Sequence, residues 1–136
     1  MPTSVVLDSF ALLAFLEQEP GHQIVGDFLS QAAEGELRLG ATAVNMGEVW
    51  YRYARIHSDL KADRAVADLR ALGLEVVDMD WPLTRQAAAH KKSGGLSFAD
   101  CYAAALAKAW NAALVTGDPE FKRLEKEVEI RWLRKK

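Results

Sequence analysis

Asp8, Glu48, Asp100 and Asp118 are the residues whose types and positions could do chemistry. Each falls where a regular element should begin or end. Asp8 closes the apolar run Val5-Val6-Leu7, and Asp118 follows Ala113-Leu114-Val115-Thr116. Asp100 lies in the first turn of a helix opened by Ser97, and Glu48 lies on a helix opened by Thr42. If the two apolar runs are parallel neighbours, Asp8 and Asp118 project from one edge of the sheet. In open α/β sheets that edge binds ligands. Two carboxylates about 5 Å apart repel by roughly 3 kcal/mol at an effective dielectric near 20, so a converging set needs a counter-charge. A divalent, oxygen-seeking ion provides one, and Mg²⁺ or Mn²⁺ suits carboxylate donors best. Phosphodiester hydrolysis fits such a centre, because it needs an activated water and a neutralised leaving oxygen.

Each acid also has an ordinary structural job available. Asp8 can cap the helix that begins at Ser9, and Asp118-Pro119 reads as a cap followed by proline at the first helical position. Ser97 with Asp100 is nearly a capping box. Glu48 can pair with Arg52 one turn later. It is the joint pattern that favours chemistry: two acids end two buried strands, and a third opens the helix directly before the second of them.

The elements that must position these acids alternate. Strands are expected at Ser4 to Leu7, around Leu37 to Leu39, at Leu74 to Val77, at Ala113 to Thr116 and at Val128 to Leu133. Helices are expected over Ser9–Glu17, His22–Ala33, Thr42–His57, Leu60–Leu72, Pro82–Lys92 and Ser97–Asn111, with a short one at Pro119–Leu124. Gly47 costs its helix about 1 kcal/mol relative to Ala and suggests close packing there. The alternation predicts an α/β fold with a largely parallel sheet, and 136 residues without repeats or linkers predict one domain over 1–136.

Half the residues are hydrophobic, and 17 Lys and Arg stand against 19 Asp and Glu. The balance gives no global nucleic-acid signature, although an acidic cluster can cancel a basic rim. Arg131, Arg134, Lys135 and Lys136 form a basic end that reads as a solvated tail. Cys101 is the lone cysteine, so no intrachain disulfide can form and a reducing compartment is expected. With no signal peptide and no apolar stretch of membrane-spanning length, the expected location is cytoplasmic.

Four segments resemble the motifs of PIN domains, in that family's order. They are Val6-Leu7-Asp8-Ser9-Phe10-Ala11-Leu12-Leu13-Ala14, Asn45-Met46-Gly47-Glu48-Val49, Leu96 to Ala107 with Ser97 and Asp100 inside it, and Leu114-Val115-Thr116-Gly117-Asp118-Pro119-Glu120-Phe121. Size and composition are similar to the VapC-type toxins of prokaryotic toxin–antitoxin pairs. The resemblance implies an α/β/α sandwich with a central, mainly parallel sheet. It implies an Mg²⁺-dependent endoribonuclease, a homodimer, and a cognate antitoxin that occludes the site. By motif match Asp8, Glu48, Asp100 and Asp118 carry over as the acidic metal site, and Thr116 as the hydroxyl beside the last acid. Arg52 and Arg55, one and two turns from Glu48, are candidate RNA contacts, with Lys91 and Lys92 behind them. All four are equally readable as solvated helix faces.

Two other functions fit less well. A receiver-type phosphoacceptor module would need adjacent acids after the first strand, where Asp8 stands alone. An RNA-binding relative without catalysis would not need all four acids. Ser9 and Ser97 lack the nucleophile elbow of serine hydrolases. Gly94-Gly95 reads as a helix stop, not a phosphate loop. His22, His57 and His90 read as surface histidines and Cys101 as a packed core thiol. Trp50, Trp81, Trp110 and Trp132 read mostly as core or dimer packing.

Overall fold

Successive side chains of β1 (Thr3–Leu7) point into two different cores. Val5 and Leu7 meet α1 (Ser9–Leu16), α2 (His22–Ala33), α3 (Ala43–Ile56) and α4 (Asp59–Ala71). Val6 faces the opposite side, toward α5 (Trp81–Lys92) and α6 (Phe98–Trp110). This is the period-two alternation of a strand covered on both faces. The structure is a computed structural model that describes residues 3–133.

The remaining strands are β2 (Leu37–Thr42), β3 (Leu74–Val77), β4 (Ala113–Thr116) and β5 (Ile130–Trp132). They form one sheet in the order β3-β2-β1-β4-β5. Every pairing in it is parallel. The fold is therefore the expected α/β/α sandwich, with its central sheet parallel throughout. A six-residue 3₁₀ helix (Pro119–Leu124) follows β4 and adds Phe121 and Leu124 to the second core.

Helix starts are fixed by side-chain caps. Asp8, Thr42, Ser58, Asp80 and Ser97 each accept a backbone N–H from the first turn of α1, α3, α4, α5 and α6 respectively. Orphan N–H groups at a helix start need such partners. β2 extends past Leu39 to Thr42, because it is paired on both sides, with β1 and with β3. β5 is shorter than expected; Val128 lies before it, in the second core.

Two expectations need correction. A Cβ placed on Gly47 would meet nothing within 4 Å, so close packing does not explain that glycine. His90 is buried, not on the surface, because it shares a helical face with Leu83 and Ala87 and that face lies on α6. Burial is the main cause that lowers its pKa, and its Nε2 has no hydrogen-bond partner. Trp81 is 69% exposed in the single chain, outside the core. Cys101 is buried as expected. Of the basic end, Arg131 is exposed, and Arg134, Lys135 and Lys136 lie outside the described residues.

Candidate functional site

The chain leaves central β1 toward β2 on one side and reaches β4 on the other. Parallel strands that diverge in this way open a crevice at their carboxyl ends. Leu7 pairs with Val115, so the next residues, Asp8 and Thr116, lie side by side at that crevice. The Thr116 hydroxyl donates to Asp8 Oδ2 at 2.5 Å and accepts the Asp118 N–H at 3.0 Å. Asp8 Oδ1 accepts the Ala11 N–H at 2.8 Å. Asp8 thus acts as both helix cap and site residue, and only 1% of its surface is exposed. Burial pushes its pKa up to about 7, against the Thr116 hydroxyl and the Ala11 N–H, with Asp100 and Asp118 adding to the rise.

Asp100 enters from the first turn of α6, whose cap is Ser97. Its pKa is pushed up to about 6, first by burial, with Ser97 opposing and Asp118, Glu48 and Glu120 contributing. Asp118 caps the 3₁₀ helix by accepting the Glu120 N–H at 3.0 Å. Asp100, Asp118 and Glu120 each offer a carboxylate oxygen, and these oxygens lie within 4.8 Å of one another. Asp8 and Glu48 are outside this triad but close enough for their charges to be felt across the site. Among the described residues no Lys, Arg or His forms an ion pair with Asp8, Asp100, Asp118 or Glu120. An all-oxygen donor set without a counter-ion fits a hard divalent cation such as Mg²⁺ or Mn²⁺.

Two participants were not singled out from sequence. Glu120 is one: after a cap and a proline, the tight 3₁₀ turn brings the next acid alongside Asp118, and the segment Asp118-Pro119-Glu120 was the available signal. Asn45 is the other. Fully buried, it accepts the Thr42 hydroxyl at 2.5 Å and donates to the Ser9 hydroxyl at 3.1 Å and to the Ala99 carbonyl at 3.2 Å. The Ser9 hydroxyl in turn donates to the Asn45 carbonyl at 3.3 Å. This knot ties together the starts of α1, α3 and α6, which carry Asp8, Glu48 and Asp100. Gly117 matters for a simpler reason: a Cβ there would lie 2.2 Å from the Phe10 ring, which packs against the bend between Thr116 and Asp118.

Three of the four cations singled out from sequence make contacts within the chain. Arg52 pairs with Glu48 at 3.6 Å, and Arg55 stands 5.1 Å over the Tyr51 ring. Lys91 donates to the Leu96 carbonyl at 2.8 Å, and Lys92 is exposed.

Fold and site together define an α/β domain with an acidic crevice at the switch point of its sheet. A model of the PIN domain family matches residues 5–127, and the chain belongs to that family. Solved structures share the fold at low identity. The VapBC-1 structure from nontypeable Haemophilus influenzae aligns with TM-score 0.72 and 18% identity over 98% of this chain and 100% of that one. A VapBC2 structure from Rickettsia felis, bound to a promoter DNA fragment, aligns with TM-score 0.71 and 17% identity over 95% and 98%. The Mycobacterium tuberculosis toxin VapC20, described as cleaving the sarcin-ricin loop, aligns with TM-score 0.66 and 16% identity over 88% and 93%. No curated protein sequence matches the chain significantly.

Proposed function

We propose that this chain is a single-domain, Mg²⁺-dependent endoribonuclease acting as the toxin of a type II toxin–antitoxin pair. The observation that carries the reading is the triad of Asp100, Asp118 and Glu120 within 4.8 Å, set beside buried Asp8 at the sheet's switch point. Asp8, Asp100, Asp118 and Glu120, with Glu48 behind Asp100, are the residues that would hold the ion, directly or through water. When bound, Mg²⁺ supplies charge neutralisation at the phosphodiester and makes a water acidic enough to attack at neutral pH.

The chain's own residues do the rest. Thr116 fixes the Asp8 carboxylate with its hydroxyl proton and holds the Asp118 backbone with the same oxygen, so both acids keep one orientation. Glu48 or Asp118 would orient the attacking water or take its proton. Attack by water leaves a 5′-phosphate and a 3′-hydroxyl, and the 2′-hydroxyl takes no part as nucleophile. The receiver alternative loses support from topology: receiver sheets run 2-1-3-4-5, whereas this one runs 3-2-1-4-5. Among the described residues no helix is long and apolar enough to cross a membrane.

A cognate antitoxin as partner, a homodimer and a cytoplasmic site of action belong to the same reading. The VapBC complexes among the similar folds support the antitoxin. Expression of the chain alone in bacteria tests the whole. Growth should stop and RNA fragments bearing 5′-phosphates should accumulate. Both effects should vanish in Asp100→Asn at equal protein abundance. Harmless expression at high soluble level, with no RNA cut in Mn²⁺, would sink the reading.

A further inference from the structure

Arg123 is a cation that no acid uses. It is exposed on the 3₁₀ helix, and among the described residues no carboxylate forms an ion pair with it. Its guanidinium is nonetheless seated. Nη1 donates to the Gly94 carbonyl at 3.3 Å. A Cβ on Gly95 would fall 1.5 Å from Nη1 and 2.2 Å from Cζ, so the guanidinium occupies the space that a side chain at this position would need. Gly95 also has φ +89°, a conformation that side-chain-bearing residues rarely adopt. The double-glycine turn that reads from sequence as a helix stop is therefore also a seat for an arginine.

One turn of the 3₁₀ helix separates Arg123 from Glu120 of the acidic centre. A 3₁₀ helix has three residues per turn, so Glu120 and Arg123 share a face with backbones about 6 Å apart along the axis. Glu120 is one of the triad. Only one of the five guanidinium N–H groups is spent on Gly94. Arg123 also rims an open cavity of about 350 Å³, shared with Gln86 and Ser93. Glu127 lines the same cavity and is paired with Lys108.

An acidic centre repels a polyanion until cations along its edge offset the repulsion. Arg52 is paired with Glu48 and Arg55 stands over the Tyr51 ring. Arg123 meets neither an acid nor a ring among the described residues, and one of its N–H groups holds it to the Gly94 carbonyl. We propose that Arg123, seated on the Gly94-Gly95 turn, contacts a backbone phosphate of the RNA strand flanking the one cleaved at the acidic centre. The inference rests on the ribonuclease reading. Arg123 is in this role a positioning residue: it sets where along the strand the acids act, and takes no part in bond cleavage.

The test is fluorescence anisotropy of a labelled, random-sequence single-stranded RNA in Mg²⁺, with Asp8→Asn in every protein to block turnover. Affinity is measured across a salt series. Loss of one phosphate contact to a single strand lowers the slope of log affinity against log salt by about 0.7. Arg123→Gln should show that decrease, and Arg123→Lys should keep the slope. In the otherwise unchanged protein, Arg123→Gln should raise KM several-fold at nearly constant kcat, with melting temperature and Mg²⁺ affinity unmoved. An arginine that only clamps the turn would give the opposite pattern: lower melting temperature or metal affinity and an unchanged slope, which overturns the inference. A parent that cleaves RNA while Arg123→Gln keeps its slope and KM overturns this inference alone. A parent that neither binds nor cleaves RNA overturns the ribonuclease reading and this inference with it.

Discussion

Replacing Asp8 by Asn should make the metal-free protein more stable, and by an amount that depends on pH. Folded Asp8 keeps its proton up to about pH 7, whereas an unfolded aspartate releases its proton near 3.8. Between those values the folded state binds more protons, so the wild type loses stability as pH rises from 4 toward 7. At roughly 1.4 kcal/mol per pKa unit the penalty is about 2 kcal/mol at pH 5 and about 4 kcal/mol at pH 8. Asn escapes the penalty and keeps the acceptor for the Ala11 N–H. It cannot accept the Thr116 proton with its amide nitrogen, which costs about 1 kcal/mol. The net gain should be small at pH 5 and about 3 kcal/mol at pH 8. Urea denaturation in EDTA at both pH values, followed by circular dichroism, measures it. Mg²⁺ should stabilise the wild type and do much less for the variant, because only folded protein with an intact site binds the ion well. An Asn variant less stable at both pH values would make Asp8 a structural cap first. A gain that does not change with pH would refute the role given to burial.

Asn45→Ala should cost about 3 kcal/mol in urea denaturation, since it removes three buried side-chain hydrogen bonds, to the Thr42 hydroxyl, the Ser9 hydroxyl and the Ala99 carbonyl; a loss under 1 kcal/mol would mean the knot is dispensable. Glu120→Gln should weaken Mn²⁺ binding in titration calorimetry and slow RNA cleavage while leaving the melting temperature unchanged, and undiminished Mn²⁺ affinity would remove Glu120 from the site. Gly47→Ala should stabilise the protein by up to about 1 kcal/mol, because its Cβ meets open space; a lower melting temperature would contradict that geometry.

The sequence determined the layers and most of the site's membership. Period-two runs such as Val5-Val6-Leu7, alternating with helical stripes and cap residues, are local signals, and they place Asp8, Asp100 and Asp118 at element ends without knowledge of the fold. They do not reveal which ends meet. Asp8 and Thr116 are 108 residues apart, and only the parallel register of β1 with β4 puts the hydroxyl on the carboxylate. Tertiary structure alone gave Asn45 its partners on α1 and α6, Ser9 and Ala99. It buried His90, although Lys91 and Lys92 follow it directly, because the face shared with Leu83 and Ala87 lies on α6. It drew Glu120 into the acidic triad through a 3₁₀ turn that composition does not announce. It also seated Arg123 over a glycine turn 28 residues away, at Gly95. Local propensity is written residue by residue. Proximity between distant side chains depends on strand order, register and close packing, and those exist only once the chain has folded.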